Sequence, residues 1–268
     1  MSTRRFLAWI QFEGSDFSGF VRQRDIRTVA GELEAAWKRW RDETIHVRSS
    51  SRTDSGVHAE RMPVFIETKL NVTPKSVVHG WNHELPDDVA VMSAERVGDE
   101  FHVRHDATGK RYVYRIWNAR TRSPLRRVNQ WFVSRPIDVS RMQRAARDFV
   151  GSHDYAAFRS ANCQSLSTRR SIRSVTVHGD GPEIEVVVEG NAFLMNMVRI
   201  MVGTLVEVGW GRKEVDAIPT ILASRDRREA GQTAPARGLT LDEVFYGEHG
   251  AREGLNFKVL DGQKPASA

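Results

Sequence analysis

The chain has 268 residues, enough for a sizeable core in one large domain or two smaller ones. Lys and Arg outnumber Asp and Glu by 40 to 34 and the pI is near 9.8, a balance that suggests nucleic acid as a partner. One cysteine, Cys163, excludes an intramolecular disulfide and a cysteine-based zinc site.

Phe6, Ala8, Ile10 and Phe12 alternate with other residues and predict a first strand. A polar loop over 13–27 follows, with Gly14, Gly19 and Phe20. Thr28 is a candidate N-cap for a helix whose face carries Val29, Leu33, Ala36, Trp37 and Trp40. Ile45 and Val47 predict a second strand, and Val64 and Ile66 a third. Pro63 cannot donate to a ladder, so that third strand is expected to begin at an edge or bulge. Thr73-Pro74 starts a helix over Val77, Val78 and Trp81, and Val89-Ala90-Val91 begins another strand.

The next strand is Lys110-Arg111-Tyr112-Val113-Tyr114-Arg115-Ile116, with both tyrosines on one face. Such a face packs a core or stacks a base that has left its helix. Arg122, Arg126 and Arg127 lie on a loop and are candidates for phosphate contact. Ser140 has capping-box spacing for a helix with Met142, Ala145, Ala146, Phe149 and Val150 on one face, stopped at Gly151. His153-Asp154 follows, in a place where capping is the expected role. Residues 160–173 read as an arginine-rich loop, mobile without a bound polyanion. A hairpin turns at 179–182 between strands containing Val175 and Val177, then Ile184, Val186 and Val188.

The most apolar stretch, 192–208, carries Asn196, Arg199 and Glu207 and predicts a buried helix, not a membrane span. An unpaired buried charge costs roughly several kcal/mol, so Arg199 either reaches solvent or meets a carboxylate from elsewhere. Val215, Ile218 and Leu222 suggest a short helix, and Leu239 and Leu241 a last strand. Residues 248–268 read as a frayed tail. The histidine pairs His79/His83 and His102/His105 have metal-ligand spacing, but nothing completes a site, so no metal is expected. The strands and helices lack a βαβαβ rhythm, which points to α+β with a largely antiparallel sheet.

The chemistry concentrates in residues 49–59, Ser-Ser-Ser-Arg-Thr-Asp-Ser-Gly-Val-His-Ala. A hairpin turn would account for Asp54 and Gly56, with Arg52 a solvated charge. Equally, Asp54 could be a nucleophile or base presented on a polar loop. Spacing does not choose between these. The run from Arg52 to Ala59, however, resembles the catalytic loop of the TruA-type tRNA pseudouridine synthases. The resemblance extends to Phe12-Glu13-Gly14 and Phe17-Ser18-Gly19-Phe20, where the family has Tyr-Asp-Gly and Phe-x-Gly-Trp-Gln. It continues through Asn82, Leu85-Pro86 and Asp88, Lys110-Arg111-Tyr112, residues 151–158, the stretch around Arg199, and 234–246.

The resemblance implies the pseudouridine synthase fold: two similar subdomains, 1–107 and 108–247, sharing one mixed sheet flanked by helices, with the site in the cleft between them. It implies isomerisation of uridine to pseudouridine at positions 38, 39 and 40 of the tRNA anticodon arm, without cofactor, by a homodimer; the lone cysteine and the N-terminal sequence point to the reducing cytoplasm. Asp54 would attack C1′ of the ribose or C6 of the uracil. Tyr112 would stack on the base and help remove the C5 proton. Arg52 would meet the flipped nucleotide's phosphate or fill its place, and Leu241 would wall the pocket. Arg199 would pair with Asp54, and that pairing is expected to outweigh the effect of burial on the carboxylate. Two other functions fit the composition. A non-catalytic RNA-binding or chaperone protein would need the basic loops but not Asp54. A carboxylate-dependent hydrolase would need a second acid, for which Asp154 is the one obvious candidate.

Overall fold

A computed structural model describes residues 3–247. The predicted tail over 248–268 lies outside the described residues. The described chain is α+β, built on one mixed, mostly antiparallel sheet. In order across the sheet run β3 (Val89–Arg96), β1 (Arg4–Phe12), β2 (His58–Thr68), β9 (Leu239–Tyr246), β4 (Ala107–Asn118), β8 (Glu183–Gly190), β7 (Arg169–Asp180) and β6 (Gly151–Asp154), with β5 (Trp131–Val133) also on β4. The last strand of the described residues therefore sits mid-sheet. It runs parallel to β2 through His58↔Thr240 and Ala59↔Leu241, and antiparallel to β4 through Tyr112↔Leu241. That insertion brings the 49–59 loop, at the N-terminal end of β2, beside Tyr112.

The helices are α1 (Val29–Arg41), α2 (Pro74–Glu84), α3 (Val139–Ala146), α4 (Met197–Gly209) and α5 (Ala217–Ser224). Thr28 caps α1 by accepting from the Gly31 N–H, and Thr73 and Ser76 form a reciprocal capping box on α2. Trp37, Trp40 and Trp81 pack edge to face between these two helices, so they are core. Pro219 lies in the first turn of α5, where its missing N–H has no intrahelical partner to lose.

Several local expectations are corrected. Residues 45–48 form no strand; one isolated bridge joins Arg48 to Phe65. The reason is that the Val47 N–H goes to the Glu34 carboxylate of α1 instead of a neighbouring strand. Pro63 does not start β2 but lies inside it. Phe65, two residues on, sends its N–H away from β1 to Arg48. The imide nitrogen of Pro63 thus faces that same unladdered side, where its carbonyl takes the Ser49 hydroxyl. Asp138, not Ser140, caps α3. Val150 is exposed, and α3 proper ends at Ala146 before a 3-10 turn, so Gly151 opens β6 instead of stopping the helix. Arg169, Arg170 and Arg173 belong to β7, not to a loop.

Candidate active site

The 49–59 loop is held from every side. The Phe20 N–H donates to the Thr53 carbonyl at 3.2 Å, and Gly56 N–H and Ser55 hydroxyl both donate to the Phe17 carbonyl. Gly14 lies so near that a Cβ there would be 2.1 Å from the Val57 carbonyl oxygen. The glycine-bearing first loop is therefore a cradle for the second. Asp88 anchors the cradle with two hydrogen bonds from Arg27, at 2.7 and 2.9 Å. His58 is buried and ties three segments together. Its Nδ1 accepts the Gly14 N–H at 2.9 Å, which leaves Nε2 to donate to the Arg237 carbonyl at 3.0 Å. Upstream, the Lys110 ammonium donates to the Ser50 carbonyl at 2.7 Å, and the Tyr246 hydroxyl lies 2.9 Å from Ser50 Oγ.

This fixed loop presents Asp54, half-buried, toward Tyr112. The carboxylate sits in the field of the Arg199 guanidinium and of the Asn196 N–H. Asn196 is able to aim that N–H because it turns the chain with φ 60 just before α4. Arg199 does not form the expected contact pair with Asp54; the two act on each other only through the attraction of their charges. Its Nε donates to the Ala234 carbonyl and its Nη1 to Asn196 Oδ1, both at 2.7 Å. Burial consequently wins over attraction, and the Asp54 carboxyl is raised above its ordinary value, the reverse of the expected balance.

Tyr112 is buried on β4, with the ring edge-on to Phe193 at 5.1 Å between centroids. Burial and the nearby Asp54 charge raise its phenol well above the usual tyrosine range. It is a neutral phenol at physiological pH, suited to stacking and poorly suited to removing a C5 proton as a base. Ser51 lies beside it, its hydroxyl buried and out of hydrogen-bonding geometry. Tyr114 is fully buried and donates to the Pro235 carbonyl, so it shapes the 234–238 segment. Leu241, in register with both Tyr112 and Ala59, is fully buried beneath the site. Arg52 is exposed on the rim.

The structure thus gathers Asp54, Tyr112 and Arg199, sets Leu241 in the packing behind them, and leaves Arg52 at the edge. Sequence reasoning missed Lys110, His58, Asn196 and Tyr246. His58 and Lys110 stand inside motifs already singled out, and a buried polar residue within such a motif was the available signal. His153 and Asp154 make no catalytic dyad. Asp154 accepts the Ala156 N–H and meets Arg225 at 3.1 Å, and His153 bonds the Val150 carbonyl. Arg126 is committed to Glu183 at 2.6 Å and is not free for phosphate, whereas Arg122 and Arg127 are exposed. Among the described residues, no three His, Cys, Asp or Glu side chains lie together as a metal site would need, and no helix is long and apolar enough to cross a membrane.

An α+β protein with a desolvated aspartate, an aromatic platform and a guanidinium gathered on one open sheet defines a class: enzymes of covalent or acid–base carboxylate chemistry on a flat, ring-shaped substrate. The tRNA pseudouridine synthase family model matches residues 8–106 and 145–247. The tRNA pseudouridine synthase A of Pelobacter propionicus is 45% identical over 237 residues, covering 88% of this chain and 97% of that protein. The enzymes of the same name from Myxococcus xanthus and Staphylococcus aureus are 44% and 36% identical, over 88% and 91% of this chain and 90% and 93% of their own. The chain belongs to the tRNA pseudouridine synthase family, in its TruA-type branch.

Proposed function

We propose that the protein isomerises uridine to pseudouridine in the anticodon stem-loop of tRNA, at positions 38, 39 and 40, with Asp54 as the essential group. The reaction breaks the bond from uracil N1 to the ribose, turns the base and rejoins it through C5. It is redox-neutral and without net hydrolysis, so the chain's own side chains suffice. The observation that carries the reading is the desolvated carboxylate of Asp54, facing Tyr112 on a loop bearing the family motif. Ionised at neutral pH, it is a nucleophile toward C1′ or C6, and burial raises its basicity. Tyr112 stacks on the everted uracil. Extraction costs roughly a few kcal/mol, offset by phosphate contacts of Arg52 and the other rim arginines. The enzyme works in the cytoplasm as a homodimer, on a cleft between the 1–107 and 108–247 subdomains. A non-catalytic RNA-binding protein would gain nothing from burying a carboxylate where a polyanion must approach.

The test is tritium release from tRNA labelled at uridine C5. Wild-type protein releases tritium with no added cofactor, and Asp54→Asn releases none while still binding tRNA. Undiminished release by the variant would remove Asp54 from the mechanism.

A further inference from the structure

The face of β4 that carries Tyr112 also gathers three cations that, among the described residues, no carboxylate neutralises. Lys110 precedes Tyr112 by two residues, so both side chains leave the same face of β4, about 7 Å apart along the strand. Lys110 is in register with Gly190 of β8, and Gly190 with Ile172 of β7. Arg170, two residues before Ile172, shares that face. Gly190 adds no side chain of its own, and Ile172 and the Phe193 ring pack over it, 2.8 and 3.2 Å from where a Cβ would stand. Arg104 arrives on the loop before β4, whose Val103 carbonyl is held by the Tyr246 hydroxyl. The charges of Arg104 and Arg170 both bear on the Lys110 ammonium.

Among the described residues, none of the three has an Asp or Glu oxygen within 4.0 Å. The neighbouring acid, Asp106, accepts the His102 N–H instead. Lys110 has three donors, and its hydrogen bond to the Ser50 carbonyl uses one. Arg170 donates through Nη1 to the Ser167 and Arg169 carbonyls and through Nη2 to Ser165 Oγ, but its buried Nε has no partner. Converging like charges with unmet donors are unfavourable by themselves and become favourable around an anion. The burden is visible on Lys110, which burial and the two guanidinium groups pull down to about 8.

We propose that Lys110, Arg170 and Arg104 form a binding site for one phosphodiester of the substrate RNA, next to the nucleotide whose base lies over Tyr112. This rests on the function proposed above and adds to it a place where the backbone is gripped. Because Lys110 also holds the Ser50 carbonyl, four residues before Asp54, the grip and the catalytic loop share one side chain.

A series of synthetic anticodon stem-loops tests it, each with one phosphate replaced by an uncharged methylphosphonate. Wild-type affinity falls about tenfold at a linkage adjoining the target uridine, the size expected for a lost charged hydrogen bond. Lys110→Met and Arg170→Gln bind the all-phosphate RNA about tenfold more weakly, yet lose nothing more at that linkage and keep their sensitivity elsewhere. Equal losses in wild type and both variants, or no responsive linkage near the target, overturn the site. Should Lys110→Met fail to fold by circular dichroism, Arg170→Gln alone decides. Pseudouridine formation in the unsubstituted RNA is scored in parallel. Its presence with an additive cycle sinks only the phosphate site, and its absence from wild type sinks the parent reading as well.

Discussion

The two faces of β4 handle positive charge in opposite ways. On one face Arg111 pairs with Glu189 at 2.6 Å and Asp242 at 3.3 Å, and Arg115 pairs with Glu185 at 2.8 Å. The two glutamates are directly across the ladder, Arg111↔Glu189 and Arg115↔Glu185, while Asp242 reaches Arg111 from the register shift in β9. On the other face Lys110 looks across at Gly190, and the cations gathered there have no carboxylate among the described residues. Cross-strand register is therefore a test of what a cation is for. One with an acid opposite belongs to the sheet; one with a glycine opposite is left to meet something from outside.

The largest expected effect is at Asp54, the carboxylate beside Tyr112. Asp54→Asn is expected to lower turnover by at least about 10³-fold in the tritium assay. Its stability should move the other way. The folded-state value of Asp54 lies above its unfolded value, so the folded protein holds more protons between the two. Stability falls as pH rises through that interval, and above it the ionised carboxylate is a net cost. Asp54→Asn should melt at neutral pH no lower than wild type, and a clear drop in Tm would contradict the burial argument. By the same shift, the acid limb of the wild-type kcat/KM profile should lie above the ordinary aspartate value of about 3.9.

Arg199→Ala comes next. It removes hydrogen bonds to Ala234 and Asn196, so it should lower stability by about 1–3 kcal/mol in urea melts and slow turnover as well. An unchanged melt would mean those bonds are not made. A smaller effect sharpens the Lys110 face. As pH climbs past about 8, Lys110 loses its proton among Arg104, Arg170, the Ser50 carbonyl and Tyr246, so KM should rise while kcat holds. Lys110→Arg, which keeps its charge, should flatten that rise, and an identical profile would clear Lys110 of any part in it. Smallest of all is Arg115→Met on the paired face. Turnover should be unchanged and stability lower by roughly 0.2–1 kcal/mol, as for a half-exposed pair. A loss of turnover there would erase the distinction between the faces.

Much of the candidate site could be nominated from the sequence because its residues stand in contiguous motifs. Asp54, Tyr112 and Arg199 could each be picked out by their neighbours in the chain. Their relation could not. Arg199 was expected to bond Asp54, but the nearby Ala234 carbonyl and Asn196 side chain hold the guanidinium first. Residues 45–48 have strand alternation, yet a glutamate from α1 takes the N–H a ladder would need. Ser140 fits a capping box, yet Asp138 stands two residues earlier with a better acceptor. The errors at Arg199 and at 45–48 share an origin, a local pattern lost to a partner from a distant segment, whereas the Ser140 error was local, since Asp138 stands two residues away.

Composition, periodicity and motif order determined by themselves that this is a basic α+β protein built around one aspartate loop, since these depend on residues near one another in the chain. The fold alone decided that β9 enters mid-sheet between β2 and β4, which sets Asp54 beside Tyr112 and raises its carboxyl by burial. It alone decided which cations of β4 meet a carboxylate and which meet a glycine. Pairing across strands and exclusion of water both depend on residues far apart in sequence, and no local pattern encodes them.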